Sequence, residues 1–373
     1  MSFDELIENL SSQLMIIIGI ISLVLGFVGN LLNIYIFSKW CSFLPLTSRD
    51  NQNQRINNSS LYLLITSISN LIIIVYPLLL RILFDGYHYE LTATTSIIYC
   101  KFSYFILHTF DIISLTCVCM ATLDRYLMSS RQAHIRQLNP TERRAKFIVI
   151  IIICLNMFHG IPILFYSELS EDDTECEINS VIYSYYFITV YHILLHGLIP
   201  MLFLFVFGIL TFKQLKLIQQ RNLFRSEKQL SRMVLLISIL IIISTIPNCF
   251  EQIHDLWLKY HDQPESNILH LTHTIAALMF FANPICCFYI FFLSTPNFRK
   301  ELYKLFRRRR FRLANQVNVA SNLNPVDTTE HLQHRTQKKS QMDMFTYAIH
   351  VDNVFLLCLS AFCVEKEREK TLM

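Results

Sequence analysis

The sequence predicts an all-α membrane protein: a seven-transmembrane helix bundle with a short amphipathic helix eight on its cytosolic side. Three observations predict it. The 373 residues are 53% hydrophobic and only 16% charged, with a mean hydropathy of +0.39, whereas soluble globular domains carry about 25% charged residues. The charges are missing from seven long stretches. Lys and Arg then fall almost entirely on alternate sides of those stretches.

The stretches without Asp, Glu, Lys or Arg run as follows. There are 30 residues between Glu8 and Lys39, 25 between Arg55 and Arg81, and 22 between Lys101 and Asp124, broken only by Asp111. There are 21 between Lys146 and Glu168, 35 between Glu177 and Lys213, 18 between Arg232 and Glu251, and 33 between Glu265 and Arg299. A membrane helix needs about 20 predominantly apolar residues. The bilayer interior offers backbone groups no partner except one another, so each stretch reads as a helix. Barrel strands would be shorter and alternate with period two.

Orientation follows from the basic residues. The segments after stretches one, three, five and seven hold 23 Lys and Arg up to Arg312, against three on the other side: Arg81, Lys101 and Lys259. The predicted protein is therefore a multi-pass membrane protein with an extracellular N-terminus and a cytosolic C-terminus. Residues 1–12 form the extracellular N-terminus, 13–296 the bundle, 297–312 an amphipathic basic helix, and 313–373 a cytosolic, mostly disordered tail rich in Asn, Gln, Thr and Ser. The first stretch follows acidic residues and is too long for a signal-peptide core, so it reads as a span rather than a cleaved leader. Asn9-Leu10-Ser11 is a glycosylation sequon on the outer side. The sequons at Asn57 and Asn58 fall in a cytosolic loop, away from the glycosylation machinery.

In the helix after Pro296, Phe298, Leu302, Leu305 and Phe306 recur at helical spacing. Arg299, Lys300, Lys304 and Arg307 to Arg310 surround them. That pattern suits a helix lying on an anionic lipid surface. Val354 to Val364 is apolar but only 11 residues long, too short to span. It reads as a sticky patch in the tail, with acylation of Cys358 and Cys363 as the sharper alternative.

Topology sorts the 11 cysteines. Only Cys100 and Cys176 fall outside, in the oxidising compartment, where two thiols pair as a disulfide. Asp124-Arg125-Tyr126 closes the third stretch. Arg125 lies 25 residues after Cys100, about 37 Å along a helix, which is one bilayer from face to face.

These features together resemble the rhodopsin-like (class A) G-protein-coupled receptors, in a divergent, peptide-receptor-like form. Gly29-Asn30 is similar to the family's first-helix signature. Tyr62-Leu63-Leu64 leading to Asn70-Leu71 is similar to its second. Cys100 and Asp124-Arg125-Tyr126 match its third helix at the family's spacing. Pro162, Pro200 and Pro247 stand where the family bends helices four, five and six; Asn283-Pro284 lies in the seventh; Thr295 to Arg299 resembles the start of helix eight.

The resemblance implies that Asp124, Arg125 and Tyr126 form the coupling switch. It implies that Asn30, Asn70, Pro200, Pro247, Asn283 and Pro284 are hinges and bundle core. The implied partners are an extracellular ligand, a heterotrimeric G protein, the lipid bilayer, and arrestin through the tail. Four positions depart from the pattern. Asn70 stands where the family has a sodium-binding Asp. Thr245 replaces the span-six Trp, Gly208 a Tyr in span five, and Cys287 the Tyr of Asn-Pro-x-x-Tyr, with Tyr289 two residues on.

The candidate ligand pocket is built from His108, Asp111, His192, His196, Glu251 and Asp255. Asp111 lies near mid-membrane, where an ionisable group is functional by default. The family's amine receptors carry their acid four residues earlier, at Leu107 here, so a monoamine is disfavoured. His192 and His196 are one turn apart. Glu251, His254, Asp255 and Leu258 share a helix face. With the acidic stretch around Asp172 they make the entrance negative, which favours a cationic ligand such as a basic peptide. No metal site, cofactor or enzymatic motif is predicted, and a net charge of +4 points to no nucleic-acid partner. The alternative of a transporter or channel lacks support from an inverted repeat or a run of intramembrane charge.

Overall fold

A computed structural model of the chain describes residues 3–42, 58–87, 93–130, 132–169, 176–178, 180–218, 225–260, 267–305 and 307. Among the described residues, seven helices are long and apolar enough to cross a membrane: Glu5–Cys41, Asn58–Gly86, Cys100–Ser129, Glu142–Tyr166, Val181–Gln214, Gln229–His254 and Leu271–Ser294. We number them spans one to seven. Each coincides with one of the charge-free stretches, because the same absence of charge that permits burial in lipid forces the backbone to bond internally. The expected Val354–Val364 patch, the Asn- and Gln-rich tail and Cys358 and Cys363 lie outside the described residues.

Span three is the least hydropathic and the most buried of the seven. It packs against spans two, four, five and six, and span one closes the ring against two and seven. That centrality explains why span three tolerates Ser103, Thr109, Asp111, Ser114, Thr122 and Asp124, all of them buried. Polar side chains at helix interfaces bond across the bundle instead of facing lipid. Conversely Leu155, Phe158 and Phe165 of span four are exposed on the outer surface of the bundle, as lipid-facing side chains are.

Two apolar clusters flank span three. Ile73, Ile74, Leu78 and Ile82 of span two pack with Phe281 and Ile285 of span seven. Ile112 and Ile163 pack with Tyr183, Phe187 and Tyr191 of span five. Close approach needs small residues. A Cβ at Gly29 would sit 2.9 Å from Cβ of Phe288, and one at Gly160 would sit 2.2 Å from Oγ1 of Thr109.

Spans two and five are not regular α-helices throughout. π-helical turns occupy Ile74–Leu78, which contains Pro77, and Ile82–Gly86 in span two, and Phe187–Leu198 in span five, ending two residues before Pro200. Proline supplies no backbone N–H and its ring crowds the preceding turn, so the helix widens beside it. Pro162, Pro247 and Pro284 are carried inside spans four, six and seven.

Between spans four and five lies a two-stranded antiparallel hairpin, β1 (Ser167–Leu169) and β2 (Cys176–Ile178), with Leu169 opposite Cys176. Past span seven, residues 296–305 are helical. Phe298 is fully buried there against Phe37, Trp40, Phe288 and Phe291. An ion pair joins Lys39 to Glu301. The apolar side of this helix is thus occupied in part by span one and span seven, which composition alone could not indicate.

The helix of span one begins at Phe3. Residues assigned to the N-terminal segment, including an exposed Asn9, therefore continue it. The side-chain amide of Asn58 donates to the Pro140 carbonyl at 2.8 Å and the residue is buried.

Candidate functional site

Two polar centres occupy the bundle. The first lies toward the Cys100 end and is built from spans three, five, six and seven. Asp111 and His196 meet across spans three and five, Nδ1 to Oδ2 at 2.7 Å, with both side chains buried. The π-helical part of span five turns His192, His196 and Tyr191 inward together. His108 then stands edge-on to His192, with ring centroids 4.8 Å apart, and 6.0 Å from His196. Four of the six residues expected to form the pocket are therefore brought into one cluster. Nε2 of His196 and Nδ1 of His192 have no hydrogen-bond partner among the described residues.

Below this cluster is a small cavity, lined by Asp111 and His196 together with Ser244, Thr245 and Asn248 of span six and Asn283 of span seven. It has room for about one water. Thr245 faces it where the family pattern has an aromatic ring, and its hydroxyl is turned back to the Ile241 carbonyl at 2.7 Å. Glu251, the fifth expected residue, is buried and bonded to Nδ1 of His273 on span seven. His273 carries no local sequence signal for this role, since it meets Glu251 only across spans six and seven. The side chain of Asp255 lies outside the described residues. No group of three or more His, Cys, Asp or Glu with metal-binding geometry occurs among the described residues.

Cys100 is disulfide-bonded, and its sulfur lies 3.5 Å from the Glu168 carbonyl in β1. Cys41, Cys117, Cys119, Cys154, Cys249, Cys286 and Cys287 are free thiols.

The second centre closes span three at its other end. Nη2 of Arg125 lies 2.5 Å from Oδ2 of Asp124, and the Arg125 Nε–H donates to the same oxygen at 3.2 Å and to Oγ of Ser59 at 2.7 Å. The Ser59 hydroxyl donates in turn to Oδ2 of Asp124. All three residues are buried. Tyr126 packs edge-on against Phe207 of span five, and Ser129 donates to Gln214 at 2.8 Å. Thr122 meets Ser238 of span six at 3.4 Å. Span three is thus fastened to spans two, five and six around Arg125. Ser59 and Gln214 carry no sequence signal for these roles, since nothing local distinguishes a hydroxyl that meets an arginine 66 residues away.

Between the centres runs a line of amides. Asn30 donates to the carbonyls of Gly26 and Pro284, at 2.9 and 2.8 Å, joining spans one and seven. Ser114 donates to Asn70 at 2.7 Å, and the Asn70 amide faces Cys287 of span seven. Cys287 is buried, whereas the Tyr289 hydroxyl reaches the Leu25 carbonyl on an exposed face. The bundle interior at the Asn-Pro-x-x-Tyr position therefore holds the thiol.

The family model described as 7 transmembrane receptor (rhodopsin family) matches residues 43–287, well over half of the chain. The chain belongs to the rhodopsin family of seven-transmembrane receptors. Comparison with curated proteins gives no match. Membership makes the protein a multi-pass membrane receptor with a signalling role, and the partners the family implies are an extracellular ligand and a G protein.

Proposed function

We propose that this receptor carries a signal from an extracellular ligand, a basic peptide, to a heterotrimeric G protein, without covalent chemistry of its own. The N-terminus is extracellular, the C-terminus is cytosolic, and the receptor works in the plasma membrane. The observation that carries the reading is the placement of two buried polar centres on one central helix. Asp111 is near its middle and Asp124-Arg125 closes the end remote from the Cys100 disulfide. Charged groups are costly inside a bundle unless paired, and the Asp111–His196 pair joins two different helices.

The ligand occupies the Asp111, His108, His192 and His196 cluster, entering past Glu251 and Asp255. Asp111 is already engaged by His196, so a cationic ligand group competes with an imidazole and loosens span five from span three. The free nitrogens of His192 and His196 offer hydrogen bonds to polar ligand groups. Pro247 removes one backbone hydrogen bond from span six, and the adjacent cavity gives that helix room to shift. Arg125 then leaves Asp124 and turns into a groove between spans three, five and six, where the G protein inserts. Cys100 pairs with Cys176, which begins β2, and this bond ties the hairpin to span three. Arrestin binds through the tail.

The test is Gα/Gβγ dissociation in cells that carry an N-terminal epitope tag, challenged with a panel of basic amidated peptides. The proposed function requires a tag accessible on intact cells and a peptide response that Arg125→Ala abolishes. A tag reached only after permeabilisation contradicts the orientation. A response that survives Arg125→Ala contradicts the switch.

A further inference from the structure

We infer that the lipid-facing crevice between spans four and five, on the side of the β1–β2 hairpin, is a sterol-binding site in which His159 and Tyr186 hold the sterol hydroxyl. Neither the ligand nor the coupling proposed above enters into it.

Spans four and five are not packed backbone to backbone, and side chains close the gap between them. Nε2 of His159 on span four meets the Tyr186 hydroxyl on span five at 2.9 Å, on the outer surface of the bundle. Tyr186 is 39% exposed, and Phe158, Phe165, Val181 and Ile182 also present their side chains to lipid. His159 lies seven residues before Tyr166, which ends span four, or about 10 Å along the helix. The pair is therefore set below the mouth of the bundle, among apolar side chains. A polar group is costly in hydrocarbon unless it is bonded. A tyrosine hydroxyl has one donor and two acceptor sites, so its bond to His159 leaves it able to take another partner.

Two features select the occupant. No Lys or Arg occurs from Phe147 to Tyr166 or from Val181 to Phe212, so a phosphate or carboxylate headgroup finds no cation on these helices. A neutral hydroxyl suits the pair, since it can donate to one side chain while accepting from the other. The wall beside it is aromatic. Tyr166, Tyr183 and Tyr186 stack in succession, with centroids 4.6 and 5.7 Å apart. A fused-ring body lies against such a wall and loses little torsional freedom on binding, unlike a flexible acyl chain. A neutral hydroxyl on a rigid apolar ring system is a sterol. The His159 ring in turn stacks on buried Tyr191 at 4.8 Å, and Tyr191 lies 5.2 Å from His196. The back of the crevice is thus the aromatic side of the polar cluster, and it holds the His159 ring in place.

The experiment labels the full-length receptor in lipid nanodiscs with a photoactivatable sterol that keeps its hydroxyl, and maps the label by mass spectrometry. Wild type, His159→Phe, Tyr186→Phe and Tyr185→Phe are compared, each substitution keeping an aromatic ring. The label is expected on spans four and five beside His159 and Tyr186. His159→Phe and Tyr186→Phe lower it about three- to tenfold, as loss of one hydrogen bond does. Tyr185→Phe, similarly exposed but outside the pair, stays within about twofold of wild type.

Competition separates the hydroxyl from the ring system. Cholesterol displaces the label, and its methyl ether, which has lost the donor, does so about three- to tenfold less well. The rise in unfolding temperature on adding cholesterol to the discs gives a second reading within each variant, independent of its own stability. It is expected to be smaller in Tyr186→Phe than in wild type and Tyr185→Phe. The site is refuted if no label reaches spans four and five, if both His159→Phe and Tyr186→Phe are labelled like wild type, if the ether competes as well as the alcohol, or if the rise is equal in Tyr186→Phe. A dimer in sterol-free discs whose cross-links run through His159 and Tyr186 also refutes it, since a second copy then covers this face.

Discussion

His196 of span five and Asp111 of span three face each other 2.7 Å apart within the bundle, and the same imidazole lies against His108 and His192. The pair joins two helices that a ligand would separate or draw together. Removing either partner leaves the other buried without its counterpart.

A double-mutant cycle quantifies that link. Asp111→Asn and His196→Asn each lower the thermal stability of the detergent-solubilised receptor, and the double variant loses less than their sum. The expected coupling is about 0.5–2 kcal/mol, in the range of polar contacts between membrane helices. Strict additivity would sever the proposed connection between spans three and five.

The approach of spans three and four depends on Gly160. Its missing Cβ would lie 2.2 Å from Thr109 Oγ1 and 2.9 Å from Phe105 Cε2, and Thr109 is fully buried. Gly160→Ala is expected to destabilise by about 1–3 kcal/mol through overpacking, and Gly160→Leu to abolish surface delivery. Flow cytometry with an outside tag reads both. Normal delivery of Gly160→Leu would mean that the two helices are further apart than described.

Cys100 is expected to be recovered in a peptide linked to Cys176 when the unreduced receptor is digested and analysed by mass spectrometry. Cys100→Ser and Cys176→Ser are expected to give matching losses of stability, about 2–5 kcal/mol each, and the double variant no further loss. Linkage of Cys100 to any other cysteine would refute the pairing.

Lys39 and Glu301 join the end of span one to the helix that follows span seven. Both side chains are partly exposed, 26% and 18%, so the pair is worth no more than about 1 kcal/mol. Lys39→Glu should lower the unfolding temperature slightly, and Lys39→Glu with Glu301→Lys should restore it. Failure of the exchange to restore stability would assign the anchoring to Phe298 alone.

The seven spans were legible because a bilayer imposes a length and a composition on any helix that crosses it, and both are local properties of the chain. Orientation toward the core was legible for Asp111, since an ionisable group in lipid must turn inward. Partners were not. His196 lies 85 positions from Asp111 in the chain and Ser59 lies 66 from Arg125, and no local pattern records such meetings. The His192–His196 spacing predicts one turn of α-helix, yet the residues lie on π-helical turns that direct them to His108. His273 as the partner of Glu251 was likewise not legible, because the two meet across spans six and seven. The amphipathic helix after Pro296 was read as a lipid-facing surface, whereas Phe298 is taken up by the aromatic cluster of spans one and seven.

The most direct test of the account reconstitutes the purified receptor in lipid nanodiscs with purified heterotrimers of each Gα class and follows nucleotide exchange. Asp124→Asn weakens the hold on Arg125 and is compared with Asp124→Asn/Arg125→Ala and with empty discs. The account predicts faster exchange than in empty discs for Asp124→Asn on at least one Gα class, and loss of that gain in the double variant. Exchange no faster than in empty discs for every class, or an equal gain in the double variant, would contradict it.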